Sequence, residues 1–171
     1  MTQPDQEPEP APRRPAGRRA RKRGAGQGQR SAARRRALDI LYEADVLDQE
    51  IALVLAKHLH EQLPDAAHPD AYTVELVQGV DRLRGDIDGR IRDAAEHWSL
   101  ERMPLVDRNI LRLGTFELLR RPDDPPTPVV LNEAVELAKL LSTDDSGRFV
   151  NGVLSAIAKR ARPASPASPP A

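Results

Sequence analysis

The sequence predicts an all-α protein, and three observations carry that prediction. Aromatic residues make up only 3% of the chain. β-Branched residues are sparse, and Ala, Leu, Arg, Glu and Asp dominate, a balance that favours helix over strand. Apolar residues recur three and four apart in the stretches between the prolines, which is the helical period. The 171 residues leave room for one domain of roughly 130 residues once the compositionally biased ends are set aside.

The elements follow in chain order. Residues 1–29 combine Pro, Gly, Arg, Gln and Glu with no apolar residue larger than Met1. Ordering them would bury nothing to offset the entropy lost, so a disordered basic extension is expected. A first helix is expected from Ser31, a candidate N-cap, with Ala37, Leu38, Leu41 and Tyr42 at helical spacing. Ile51, Leu55, Leu59 and Leu63 mark a second helix that Pro64 closes. Beyond Pro69, the stripe of Val74, Val77, Val80, Leu83, Ile87, Ile91 and Ala94 contains Gly79, Gly85 and Gly89. One helix, or two joined near Gly85, fits that pattern equally well. Pro104 suits a first helical position, and Val106, Ile110, Leu113, Phe116 and Leu118 follow around much of the circumference, which predicts a central, buried helix.

Pro122, Pro125, Pro126 and Pro128 form a rigid connector. Behind it Val130, Ala134, Leu137 and Leu141 line one face, and Asn132, Glu133, Glu136 and Lys139 the other. Asp144 and Asp145 are suited to cap a last helix with the stripe Val150, Val153, Leu154 and Ile157, and Lys159 and Arg160 at its C-terminal pole. Six to seven helices result, in a domain spanning 30–162, followed by a Pro/Ala/Ser tail over 163–171 that is also expected to be disordered.

The formal net charge is zero, with 26 basic and 26 acidic side chains, but it is divided unevenly. Residues 1–36 hold eleven Lys or Arg against three acids, and the remaining 135 residues hold fifteen against twenty-three. An arginine-dense segment on an acidic body points to a polyanionic partner, since each phosphate neutralised releases condensed counterions. The competing reading is a tail that solubilises the chain or folds back on its own acidic body.

Other classes of function find no support. The chain has no cysteine, which removes disulfides and thiolate chemistry. His58 and His60 point to different faces of a helix, and His68 and His97 stand alone, so no helical metal pair is present. No apolar run approaches the ~20 residues of a membrane span. Nucleophile elbow, Walker-type loop and dinucleotide fingerprint are all missing. Asp123-Asp124 and Asp144-Asp145 stand where helix capping explains them. A cytoplasmic protein without cofactor, metal or catalysis is expected.

Residues Pro128-Val129-Val130-Leu131-Asn132-Glu133-Ala134-Val135-Glu136-Leu137-Ala138-Lys139, continuing through Asp144 to Leu154, closely resemble the signature of the NusB transcription antitermination family. The stretches Ala33 to Tyr42 and Asp107 to Leu118 agree with the same family. The resemblance implies two small helical bundles packed together. It also implies binding of boxA RNA in ribosomal RNA leaders, jointly with the small-subunit ribosomal protein NusE, in a complex with RNA polymerase, NusA and NusG that suppresses premature termination. Members of the family can self-associate as homodimers. The family's RNA contacts fall here on Arg30, Arg34, Arg35, Tyr42, Asp145 and Phe149, with Asp107 a further candidate.

The chemistry of these residues agrees with that role. Arginine grips phosphate bidentately or stacks on a base, and Arg30 and Arg34 share a helix face with Leu38, so the cations should project along a line. Arg34 and Arg35 are accordingly expected to be dispensable for folding. Tyr42 and Phe149 supply aromatic faces on which unstacked bases settle, although each also fits a half-buried or core position. Two other readings stand beside this one. The first is a helical module of a ribosomal RNA cytosine methyltransferase, for whose methyl donor these residues offer no glycine loop; the second is a pure dimerisation protein.

Overall fold

The computed structural model describes residues 25–60, 68–96, 98–120 and 124–161. Among these residues there are six α-helices and no strand: α1 (Ala25–Leu47), α2 (Ile51–His60), α3 (Ala71–Ala94), α4 (Leu105–Arg120), α5 (Thr127–Leu141) and α6 (Ser146–Ala161). A single 3₁₀ turn, Leu100–Arg102, precedes α4. Helices α1, α2 and α3 pack on one another, as do α4, α5 and α6, and α4 also lies against α1 and α3. The expected pair of bundles is therefore present, joined through α4 and through α3 on α6 into one continuous apolar core.

Helix α1 begins at Ala25, six residues before the expected cap. Ser31 consequently lies inside the helix, where its hydroxyl donates to Glu133 Oε2 at 2.6 Å. The added turn is tied down by tertiary contacts rather than by propensity: Arg30 Nη1 donates to Asp124 Oδ1 at 2.7 Å, and its guanidinium lies over the Tyr72 ring, 5.1 Å from the centroid. The expected boundary between residues 29 and 30 thus falls within a helix. The expectations for 1–24, for 162–171 and for Leu63 and Pro64 lie outside the described residues.

In α2, Ile51, Val54 and Leu55 are buried, whereas Leu59 is exposed. Val54, three residues after Ile51, takes the inward position beside Leu55, and the buried stripe ends there. Helix α3 is continuous from its cap, where Asp70 Oδ1 accepts the Thr73 N–H at 2.7 Å. Three interior glycines cost about 1 kcal/mol each, less than the burial of Leu76, Val77, Val80, Ile87 and Ile91 returns. One of them has a packing reason: a Cβ on Gly79 would lie 2.0 Å from the tip of the Phe116 ring, so α3 and α4 meet through bare backbone.

Helix α4 is central, as expected. Every residue from Asn109 to Glu117 is buried, including Asn109, Arg112, Thr115 and Glu117. Pro104 stands one residue ahead of the helix and its carbonyl accepts the Arg108 N–H at 2.9 Å. In α5, Glu133 departs from the expected polar face and is 3% exposed, since it has a cationic partner inside. The start of α6 is bonded by Thr143 and Ser146 rather than by aspartate side chains: the Thr143 N–H reaches Ser146 Oγ at 3.3 Å, and the two hydroxyls are 2.9 Å apart.

Candidate nucleic-acid interface

The predicted site residues separate into three groups. The first gathers around Tyr72 at the N-terminal half of α1. Arg34 is 2% exposed, and its Nε and Nη2 donate to both carboxylate oxygens of Glu117 at 2.8–3.1 Å. Its Nη1 lies 3.6 Å from Glu133. Burial alone would lower the Arg34 pKa, but the Glu117 carboxylate outweighs it and the net shift is upward, so the side chain remains a cation. Tyr72 donates its hydroxyl to Glu117, and burial together with that carboxylate pushes the phenol well above its ordinary range.

Arg34 therefore faces inward, and the expected line of exposed cations is corrected at this residue. Leu38, which shares its face, is also buried. Arg30 reaches the surface, with 41% of its side chain exposed and paired to Asp124. Arg35 is 44% exposed and makes only an i,i+4 contact of 3.4 Å with Asp39, a pair worth a few tenths of a kcal/mol.

The second group forms a cleft of about 260 Å³ between the loop ahead of α4 and the start of α6, lined by Trp98, Arg102, Pro104, Asp107, Thr143, Asp145, Ser146 and Phe149. The Trp98 and Phe149 rings lie 5.9 Å apart at 51°, a tilted pair. Trp98 is 53% exposed. Asp107 is buried; its Oδ2 accepts from Ser146 Oγ at 2.8 Å, while Oδ1 has no hydrogen-bond partner among the described residues. An exposed aromatic wall suits a flat ring, and the Asp107 carboxylate lies closed off beneath it. Asp145 is exposed at the rim of this cleft.

The third group surrounds Tyr42, 41% exposed on α1. One turn on, Asp45 Oδ2 accepts from Asn109 Nδ2 at 2.8 Å, Arg108 Nη2 at 3.1 Å and Arg112 Nη1 at 3.1 Å. Arg112 also grips Asp88 at 2.8 and 3.0 Å. Burial would raise the Asp45 pKa, yet the Asn109 and Arg108 hydrogen bonds and the arginine charges hold it below the ordinary aspartate value. A depressed native pKa contributes stability that is present above the unfolded value and lost as pH falls through the native one. Denaturant midpoints should therefore fall as pH drops through and below the ordinary aspartate value of about 4, and less steeply for Asp45→Asn; equal slopes in the two proteins would refute this.

Sequence reasoning missed Trp98, Arg102, Tyr72 and the Asp45 cluster. Trp98 lies in a stretch without helical period, and its being the chain's single tryptophan was the one available signal. Among the described residues no group of three or more His, Asp or Glu side chains is placed to hold a metal ion, and no helix is long and apolar enough to cross a membrane.

Comparison with known proteins agrees with this architecture. The family model described as NusB family matches residues 31–159. The transcription antitermination protein NusB of Saccharopolyspora erythraea is 52% identical over 131 residues, covering 77% of this chain and 87% of the relative. The crystal form of Thermotoga maritima NusB superposes with a TM-score of 0.66 at 33% identity, over 78% of this chain and 93% of that one. A structure of antitermination factors NusB and NusE in complex with double-stranded RNA matches with a TM-score of 0.64, also at 33% identity, over 77% and 96% of the two chains.

Proposed function

The chain belongs to the NusB family of transcription antitermination proteins, and from that premise we propose that it binds boxA RNA of ribosomal RNA leaders together with NusE. The observation that carries this reading is the cleft of Trp98, Phe149 and Asp107. It offers a splayed-out base the exposed face of Trp98 beside the Phe149 ring, above a floor that contains the buried Asp107. Arg30, Arg35, Tyr42, Asp107, Asp145 and Phe149 are the contacts of this reading, and Arg34 supports them from inside by holding α1 on α4. The arginines of the N-terminal extension add sequence-independent attraction.

The assembly includes RNA polymerase, NusA and NusG on a nascent transcript in the cytoplasm, and the chain itself catalyses nothing. Double-stranded RNA accompanies NusB and NusE in the similar solved complex; the cleft here favours an unpaired segment, because bases stacked in a duplex expose no face to Trp98. A titration of labelled boxA RNA against a scrambled RNA, with and without NusE, tests the reading. Tighter binding of boxA is expected, most clearly with NusE present, and equal affinities under both conditions would overturn it.

A further inference from the structure

Three guanidinium groups converge on Asp45, yet only two carboxylates answer them. Arg112 is satisfied, shared between Asp45, Asp88 and the Asn109 side chain at 3.1 Å. Arg108 spends one donor on Asp45, and its buried Nε has no hydrogen-bond partner among the described residues. Arg84 is 44% exposed and approaches Asp45 Oδ1 at 3.6 Å, beyond hydrogen-bonding range. Among the described residues, most of the N–H donors of Arg84 and Arg108 thus have no hydrogen-bond partner. The cluster carries one positive charge more than the acids it contains.

Its position gives that excess a use. Arg108 follows Asp107, which lines the aromatic cleft, in the first turns of α4. Asp45, which gathers the arginines, lies three residues after the exposed Tyr42 and therefore on the same side of α1. The Arg108–Asp45 bond thus links the helix that floors the cleft to the Tyr42 face of α1, between the two places offered to bases. We propose that Arg84 and Arg108, braced by Asp45, form a phosphate-binding station for single-stranded RNA between the cleft and Tyr42. The inference rests on the RNA-binding reading and adds to it two contacts that discriminate backbone charge rather than base identity. A phosphate oxygen on the solvent side of Arg84, away from Asp45, receives the donors that Arg84 leaves unbonded among the described residues.

Arg84 is the residue to change, because its exposure separates binding from folding. Short labelled RNAs, one carrying boxA and one scrambled, are titrated against the full chain and its Arg84→Ala and Arg84→Lys variants across a range of salt. For Arg84→Ala, the affinity should fall severalfold for both RNAs, and the slope of log K against log salt should shrink by about 0.7, the value of one single-strand phosphate contact. Arg84→Lys should recover the slope while regaining only part of the affinity, and melting temperatures should match throughout. Wild-type affinity and salt slope in Arg84→Ala would overturn the proposal. Failure of the wild type to prefer boxA overturns base recognition instead, and leaves a loss shared by both RNAs standing as evidence for the station.

Discussion

Replacing Arg34 with alanine should cost about 3–5 kcal/mol of folding free energy, the usual penalty for removing one partner of a buried ion pair. Glu117 and Glu133 are 2% and 3% exposed. Without Arg34 these two carboxylates would lose the guanidinium that both now face, while the hydroxyls of Tyr72 and Ser31 still donate to them. For a domain whose total stability is about 5–15 kcal/mol, the loss should appear in thermal or denaturant unfolding as a drop in midpoint on the order of 10 °C or more. Arg34→Lys keeps the charge but loses the fork that spans both Glu117 oxygens, and should fall between the two. A variant carrying Arg34→Met, Glu117→Leu and Glu133→Leu should recover much of the stability by removing the charges together. A change below about 1 kcal/mol for Arg34→Ala would mean that the carboxylates find other partners or protonate at little cost.

The second large effect concerns binding. Trp98→Ala should weaken RNA affinity by about 1–3 kcal/mol, the value of one base–aromatic stack, which corresponds to roughly a 5- to 150-fold rise in Kd. Because Trp98 is 53% exposed, its loss should leave the melting temperature nearly unchanged. Phe149 makes the poorer probe, since it also packs against the core. A Kd within twofold of the wild type, measured at one salt concentration, would show that no base occupies the cleft.

Helix α4 and the buried stripe of α6 were legible in sequence because apolar period and flanking prolines act locally. The role of Arg34 was not. Spacing correctly placed Arg30, Arg34 and Leu38 on one face but could not say which way that face turns, because the deciding partner, Glu117, lies 83 residues away. Glu133 was misplaced for the same reason: beside the buried Ala134 it looks like the polar edge of a stripe until an internal cation is known. The three glycines of α3 argued for a break that tertiary burial overrides. Of the site, the aromatic Phe149 was readable from the family signature, while Trp98 reaches it from a loop whose course no periodicity describes.

The unbroken burial of α4 has a consequence for how the protein measures its ligand. The helix carries Asp107 and Arg108 at one end and Glu117, the anchor of α1, towards the other. Its central amides, from Asn109 to Glu117, should be among the slowest in the domain to exchange. Asp107 of the cleft and Arg108 are therefore carried by a well-braced helix, and Tyr42 on α1 is tied to the same helix through the Asp45–Arg108 bond. A rigid receptor loses little entropy on binding, and it is strict about length: a linker one nucleotide too short between the captured bases cannot be met halfway.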